Sequence, residues 1–587
     1  MKITIPANGK TILETAREME ITIEAACGGR GKCGKCKVKL LKGECSPLHE
    51  DERLLLREQE IAKGYRLACR AIPLGNAEIE IPEKQKGSDR KKGMANLPED
   101  FLPVPAVKKT YAKLPKPTFE DQRSDCTRAT EALGAMPHHM LLSGLSSAVR
   151  SKKGFTAAIA DGQIISIEEG DTTARCYGLA IDIGTTTAVT MLWDLNTYEC
   201  LGTAARTNPQ SLYGGDVISR IQHCAMSETG LDELQRCIIG CVNDMIEELA
   251  QKHCIAPLHI YDITIVGNTT MGHLFLGIDP KPLARSPFAP VFTQAQRRRA
   301  YELSLAAAPL ANVYFLPHMA GHVGADITGV LLSTGIKEKQ GAYLAIDIGT
   351  NGEILLCHNG HVLACSTAAG PAFEGACIYK GMRAANGAIE RVKVENDDIA
   401  ISTIGNKPAV GICGSGLIDA VAALIKLGVI DSSGRMLSKS EAAHLPQEIA
   451  HRITEQDGKP AFTLSGDVIL TQQDIREVQL AKGAIRAGAE TLMQSVGLAA
   501  SDLDGVLLAG AFGSYIDKLS ALEIGLLPDL SADKISSVGN AAGAGASMAL
   551  LSAATRQNAE VLAAEVEHVE LSANPEFQEA YIKAMGF

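Results

Sequence analysis

Four cysteines, Cys27, Cys33, Cys36 and Cys69, have the type and spacing to hold iron. The run Cys27-Gly-Gly-Arg-Gly-Lys-Cys33-Gly-Lys-Cys36 leaves five residues and then two between sulfurs, and the fourth thiol returns in Leu-Ala-Cys69-Arg-Ala. This is one residue longer than the C-x4-C-x2-C loop that, with a distant fourth cysteine, binds a [2Fe-2S] cluster. The interleaved glycines predict a loop that turns its amides toward sulfur through backbone conformations a Cβ would block. A four-thiolate zinc site is the rival reading. It ordinarily pairs two C-x-x-C knuckles, and here only Cys33 and Cys36 stand close together. The stretch Gly29-Arg-Gly-Lys-Cys-Gly34 also satisfies G-x-G-x-x-G, but it lacks the strand before and helix after that a dinucleotide site requires.

A second set of residues points to anion chemistry. The phrase Leu-Ala-Ile-Asp182-Ile-Gly184-Thr185-Thr186-Thr187 recurs as Leu-Ala-Ile-Asp347-Ile-Gly349-Thr350-Asn351-Gly352, with the aspartates 165 residues apart. Internal duplication is the economical reading. Each copy is an apolar strand ending in Asp, then a Gly-Thr turn whose amides and hydroxyls suit a phosphate, then another apolar strand. The aspartates offer hard oxygen ligands for Mg²⁺. No Walker A sequence is present. Glycine turns at Gly414-Ser415-Gly416 and Gly510-Ala511-Phe-Gly513, and the polar turn Val266-Gly-Asn-Thr-Thr-Met271, have the same strand-to-turn character. Further candidate acids and bases are Asp216, Asp326 and Glu374, each following a glycine-rich turn; a helix N-cap or first-turn acid is the equal alternative for each.

Other clusters read as structural. His318 and His322 are spaced for a metal pair, but the general-base Glu of a zinc protease is missing. Cys224, Cys237, Cys241 and Cys254 fit an amphipathic helix better than a second cluster. Arg297-Arg-Arg299 reads as a solvated helix face.

The elements that must position these residues follow from pattern. At 587 residues the chain divides into several domains. Residues 1–82 read as short strands around an early helix and an acidic helical run, and 83–117, rich in lysine and proline, as a linker. Residues 118–175 form a small middle domain ending in a hairpin with an Asp161-Gly162 turn. From 176 strands alternate with helices, an α/β domain with lobes at about 176–340 and 341–587. Sixteen cysteines without a secretory start predict a reducing, cytoplasmic setting. A net charge of −11 gives no footprint for nucleic acid, and the apolar stretches are too interrupted for a membrane span.

The N-terminal pattern resembles the β-grasp ferredoxin domain, and the duplicated turns resemble the actin, sugar kinase and Hsp70 superfamily, whose paired phosphate loops flank a hinged cleft. The expected fold is therefore multidomain: an α+β ferredoxin domain followed by an α/β actin-like, duplicated ribonuclease-H-like ATPase. The superfamily implies ATP and Mg²⁺ as cofactors and assigns Gly414, Ser415, Gly416, Gly510, Ala511 and Gly513 to nucleotide binding. The conjunction, in this order, resembles the reductive activators of corrinoid proteins, on the cysteine quartet, both Asp-Ile-Gly-Thr turns and Cys365-Ser-Thr-Ala-Ala-Gly-Pro-Ala-Phe-Glu-Gly. That resemblance implies one-electron reduction of a Co(II) corrinoid methyl carrier to Co(I), a cellular electron donor and a homodimer. An activator of a 2-hydroxyacyl-CoA dehydratase and a small-molecule kinase with a redox sensor are the alternatives. The first is disfavoured by the N-terminal quartet, and the second predicts phosphotransfer that survives loss of residues 1–82.

Overall fold

The computed structural model describes residues 2–81, 97–98 and 101–587, apart from Glu20, Thr22, Glu24, Ala26, Lys32, Cys33 and Ala376. One cysteine of the quartet, Cys33, and most of the linker's first part thus lie outside the described residues.

The N-terminal domain is a four-stranded antiparallel sheet in the order Lys2–Ile5, Ala77–Glu80, Lys37–Lys42, Tyr65–Leu67. A helix, Ile12–Glu18, starts on a Thr11/Glu14 capping box and buries Ile12, Leu13 and Ala16 in the sheet's core. The acidic run is two short helices, Glu50–Leu55 and Glu58–Ala62. From the first of them Glu52, fully buried, accepts from Arg66 at 2.9 and 2.8 Å and from the Leu67 amide at 2.9 Å. Burial works to raise the Glu52 pKa, but Arg66 and the backbone donors outweigh it and hold the carboxyl below its ordinary value. Its contribution to stability is therefore full above the unfolded pKa of about 4.3 and is lost as pH falls through the lower folded value. Removing one member of such a pair strands the other charge. Glu52→Ala is expected to destabilise this domain by about 3–5 kcal/mol, read as loss of visible iron absorption at temperatures where the rest of the chain stays folded.

A second small sheet runs Val107–Ala112, Phe155–Ala160, Gln163–Glu169, Met136–Pro137. Its hairpin turns through Asp161 and Gly162, both at positive φ as a type I′ turn requires. The linker assignment to 117 needs correction, because Val107–Ala112 pairs antiparallel along the whole of Phe155–Ala160. Its lysines obscured the strand pattern; Lys109 is folded in, with its ammonium 2.9 Å from Glu168.

The C-terminal region carries two six-stranded sheets with matching cores. In the first, Cys200–Thr207, Thr187–Asp194, Tyr177–Ile183, Ile260–Gly267 and Asn312–Phe315 lie in that order. In the second, His361–Thr367, Gly352–His358, Ala342–Ile348, Gly505–Ala509 and Ile535–Gly539 repeat it. Both combine an antiparallel hairpin with parallel neighbours on its first strand, so the duplicated phrase is a duplicated topology. Space and sequence part company at the end of the chain. The helix Ala541–Leu551 packs on the first sheet, where Thr264 Oγ1 donates to Ala546 O at 2.7 Å. It crosses Ala325–Thr334 so closely that a Cβ on Gly545 would come within 2.1 Å of Gly329 O. A buried Arg556–Asp262 pair at 2.6 Å fixes the next helix there too. The first lobe thus recruits residues expected in the second. Arg297-Arg-Arg299 is an edge strand, Gln296–Arg299, not a helix face; Arg297 reaches Glu560 and the Tyr314 ring, so its charge is consumed within the fold.

Candidate functional site

The two Gly-Thr turns face each other. Thr186 Oγ1 of the first lies 3.4 Å from Thr350 Oγ1 of the second. Glu374 sits over both, accepting from Thr186 at 2.5 Å and from Thr350 at 2.8 Å. Each turn is closed by its own backbone, Gly184 N to Thr187 O and Gly349 N to Asn351 O, both at 3.0 Å. The first is braced from outside: Asn208 donates to Gly184 O at 2.9 Å, Asn268 to Thr185 Oγ1 at 2.9 Å, and the buried Arg220 to Thr185 O. Asn268 N-caps the helix Thr269–Leu276, which is how the polar turn after Ile260–Gly267 comes to line the cleft.

Below the turns lies a concentration of acid. Asp182 and Asp347 end their strands; Asp326 stands in the first turn of Ala325–Thr334; Glu353 pairs in register with Asp347. Burial, with Asp347 nearby, pushes the Asp182 carboxyl up to about 7; burial, with Asp347 and Asp182, pushes Asp326 up to about 8; burial alone takes Asp347 to about 6. Glu353 is raised well above the ordinary carboxylate range by burial and by Asp326 and Asp347. Four acids that resist ionising together form a floor that shares protons in the absence of a cation, and a divalent cation would let them ionise. Glu353 was not foreseen. Its signal was a charged residue in the otherwise apolar Gly352–His358 strand, directly across from the motif aspartate.

The remaining sites divide. Gly510, at φ +87°, belongs to this cleft, since a Cβ there would meet Asp347 Oδ1 at 2.4 Å. Ala511 and Gly513 continue its short helix, Gly510–Gly513. Gly414 and Gly416 are pressed into the interior: a Cβ on them would come within 2.0 Å of Phe373 O and 2.2 Å of Ile389 O. The Ser415 hydroxyl donates to Glu390 O at 3.1 Å. Those two glycines therefore answer to packing as well as to any ligand. Asp216 stands apart from the acid floor. It N-caps Val217–Met226, accepting from Ser219 N at 2.7 Å, and its other oxygen is 3.8 Å from Arg30. His318 is buried among aromatic rings, and its pKa is pushed down to about 3 by burial and by His273, as for an uncharged core residue.

In the N-terminal domain Cys27, Cys36 and Cys69 are buried, and Cys36 Sγ and Cys69 Sγ are 3.3 Å apart. The Cys69 pKa is raised strongly by the hydrogen bond with Cys36, then by burial and by repulsion from the Cys36 and Cys27 thiolates. A buried Cys69 thiol that resists deprotonation with two further buried sulfurs beside it suits a site completed by positive iron. Gly28, Gly29, Gly31 and Gly34 all take positive φ, as the sequence demanded. Arg70 holds the loop, donating to Gly29 O at 3.3 Å and Arg30 O at 2.6 Å while paired with Asp51 at 2.6 Å. Buried thiol donors on a glycine loop fit an iron-sulfur cluster, with Cys33, the fourth of the set, outside the described residues.

Family models cover most of the chain. Residues 1–74 match a "2Fe-2S iron-sulfur cluster binding domain", 97–174 the "RACo linker region", 177–339 the "RACo middle region" and 341–587 the "C-terminal domain of RACo the ASKHA domain". The chain is 32% identical over 588 residues to the corrinoid activation enzyme RamQ of Eubacterium limosum, covering 97% of this chain and 95% of that one. The chain belongs to the RACo family of reductive activators. A solved structure titled reductive activator for corrinoid, iron-sulfur protein covers 99% of the chain and is itself covered over 96%, at 34% identity and a TM-score of 0.76. A more distant relative of this RACo chain, the [Co(II) methylated amine-specific corrinoid protein] reductase of Methanosarcina barkeri, is 28% identical over 395 residues, 62% of this chain and 68% of that one. The ferredoxin-like and actin-like halves expected from the motifs are thus both present in one RACo protein.

Proposed function

We propose that this chain is the ATP-dependent reductive activator of a corrinoid methyl-carrier protein, returning its cobalt from Co(II) to Co(I). The observation that carries the reading is the meeting of the two Gly-Thr turns at 3.4 Å in a chain that also bears the buried cysteine loop. Cys27, Cys33, Cys36 and Cys69 would hold a [2Fe-2S] cluster, which would supply one-electron chemistry. The residues around it do the rest: Arg70 and the positive-φ glycines fix the loop, and burial excludes water from the thiols.

In the cleft, Thr185, Thr186, Thr187, Thr350 and Asn351 would grip the phosphates of ATP, and Asp182, Asp347, Asp326 and Glu353 would hold Mg²⁺ directly or through water. Glu374 or Asp326 would orient the attacking water. Gly414, Ser415, Gly416, Gly510, Ala511 and Gly513 would border the adenosine, with Phe373 and Phe512, stacked at 5.7 Å, beside them. Asp216 is assigned to the domain seam described below. Nucleotide shifts the redox equilibrium only by binding one arrangement of the chain better than another. Each tenfold preference corresponds to about 59 mV for a one-electron step. The reading includes a cellular electron donor, a homodimer, a cytoplasmic setting and function away from membranes and nucleic acid. Among the described residues no helix is long and apolar enough to cross a membrane.

The test is a rescue assay. A corrinoid methyl carrier left in the Co(II) state is expected to resume methyl transfer when this protein, a reductant and Mg-ATP are all present. Equal recovery without ATP overturns the reading.

A further inference from the structure

The cysteine loop is docked on the ATPase, and the docking spans both lobes. On the first lobe, Arg17 donates to Leu212 O and lies 5.3 Å from the Tyr213 ring, a Cβ on Gly28 would meet Tyr213 O at 2.8 Å, and Arg30 pairs with Asp216. On the second, Lys35 Nζ donates to Ile378 O at 3.3 Å and the Arg57 guanidinium stacks 4.7 Å from the Tyr379 ring. Four cations around the loop thus meet carbonyls, aromatic faces and one carboxylate. The Arg30–Asp216 pair is exposed on both sides, so it holds weakly and is suited to release.

Both footholds are wired to the Gly-Thr turns. Arg220 joins Thr185 O to Gly214 O, the latter at 3.0 Å, beside Tyr213 and Asp216. In the second lobe Glu374 begins a compact segment in which Gly375 and Gly381 are pressed together, a Cβ on Gly381 falling 2.3 Å from Gly375 O, and which carries Ile378 and Tyr379. Glu374 also reaches Thr186 of the first lobe, so it staples the lobes at the separation the cluster domain bridges.

We propose that Glu374 is a positioning residue that couples phosphate binding to release of the cluster domain from the seam formed by residues 212–216 and 378–379. This rests on the nucleotide reading given above. The carboxylate and a phosphate are both anions that need the same two hydroxyls. A phosphate that takes Thr186 and Thr350 displaces Glu374, the staple between lobes is lost, and the two footholds no longer match one rigid domain. The cysteine loop is then free to face another protein. Linkage makes the effect reciprocal: weakening the seam strengthens nucleotide binding by the same factor.

Amide hydrogen exchange on the full, iron-loaded chain, with and without Mg²⁺ and the non-hydrolysable analogue AMP-PNP, tests this. The analogue is expected to protect 184–187 and 349–352 while speeding exchange in 27–36. Glu374→Ala should show fast 27–36 exchange before any analogue is added. Arg30→Glu, which also removes the Arg30 Nε donation to Cys27 O at 2.9 Å and so is compared at equal visible iron absorption, should do the same and bind AMP-PNP about twofold to fivefold more tightly; Arg30→Glu with Asp216→Arg should restore both values. Protection of the two turns with 27–36 unchanged overturns the coupling and leaves the nucleotide reading standing. No protection of the turns overturns the nucleotide reading and the coupling with it. Unaltered AMP-PNP affinity in Arg30→Glu, with 27–36 exchange raised, reduces Arg30 to a structural contact and also overturns the coupling.

Discussion

Cys69→Ser is expected to abolish reduction of a Co(II) corrinoid protein while leaving ATP binding within about twofold. Cys69 is buried, its sulfur lies 3.3 Å from that of Cys36, and Arg70 beside it clamps the loop through Gly29 and Arg30. A serine oxygen is a harder, far weaker ligand for iron than a thiolate, so cluster occupancy should fall by more than the ~10–100-fold that follows loss of an outer-shell partner. The cleft lies in another domain with its own core, which is why nucleotide affinity should survive. Iron content, the visible spectrum and ATP titration on one preparation check this. Retained reduction in protein lacking the cluster spectrum would remove the cysteine loop from the electron path. Cys36→Ser should behave alike.

Asp347→Asn is expected to lower ATP hydrolysis by at least the ~10–100-fold that loss of a group orienting a bound metal costs and yet to stabilise the fold. Asp347 raises the pKa of Asp182, Asp326 and Glu353, so its own charge is a burden on the folded chain in the absence of a cation. The sign follows from linkage. A carboxyl whose folded pKa is raised to about 6 favours the folded state at low pH, and that contribution is lost as pH rises from the unfolded value near 3.9 through about 6. In EDTA, the melting temperature of Asp347→Asn should therefore stay close to wild type near pH 4 and exceed it at pH 8. Thermal melts at the two pH values, beside an ATPase assay, check both halves. A variant less stable than wild type at pH 8 would mean that Asp347 is a structural partner, not part of a cation site.

Much of this arrangement was legible in the sequence because it rests on local rules. The glycines of the cysteine loop announced positive φ, and the repeated Asp-Ile-Gly-Thr phrase announced two equivalent hairpins whose sheets share one strand order. What stayed hidden was set by tertiary contact. Glu353 joins the buried acids only because register places it against Asp347. Arg220 is an ordinary helix residue until folding buries it between Thr185 and Gly214. Gly414 and Gly416 have the look of a ligand loop, and the neighbouring chain at Phe373 and Ile389 adds a packing demand that the sequence did not show. Val107–Ala112 and Gln296–Arg299 were obscured by basic side chains whose partners, Glu168 and Glu560, lie far along the chain. The docking of Arg17, Arg30, Lys35 and Arg57 on the two lobes has no local signature at all.

The central claim is that ATP binding at the paired turns drives an electron from this chain onto Co(II). Its most direct test is an anaerobic single-turnover experiment: the reduced protein is mixed with a Co(II) corrinoid protein, with and without Mg-ATP, and the cobalt spectrum is followed. Co(I) is predicted to appear with ATP and not without it. Co(II) that persists while ATP is hydrolysed, or Co(I) that forms equally well without nucleotide, would contradict the account.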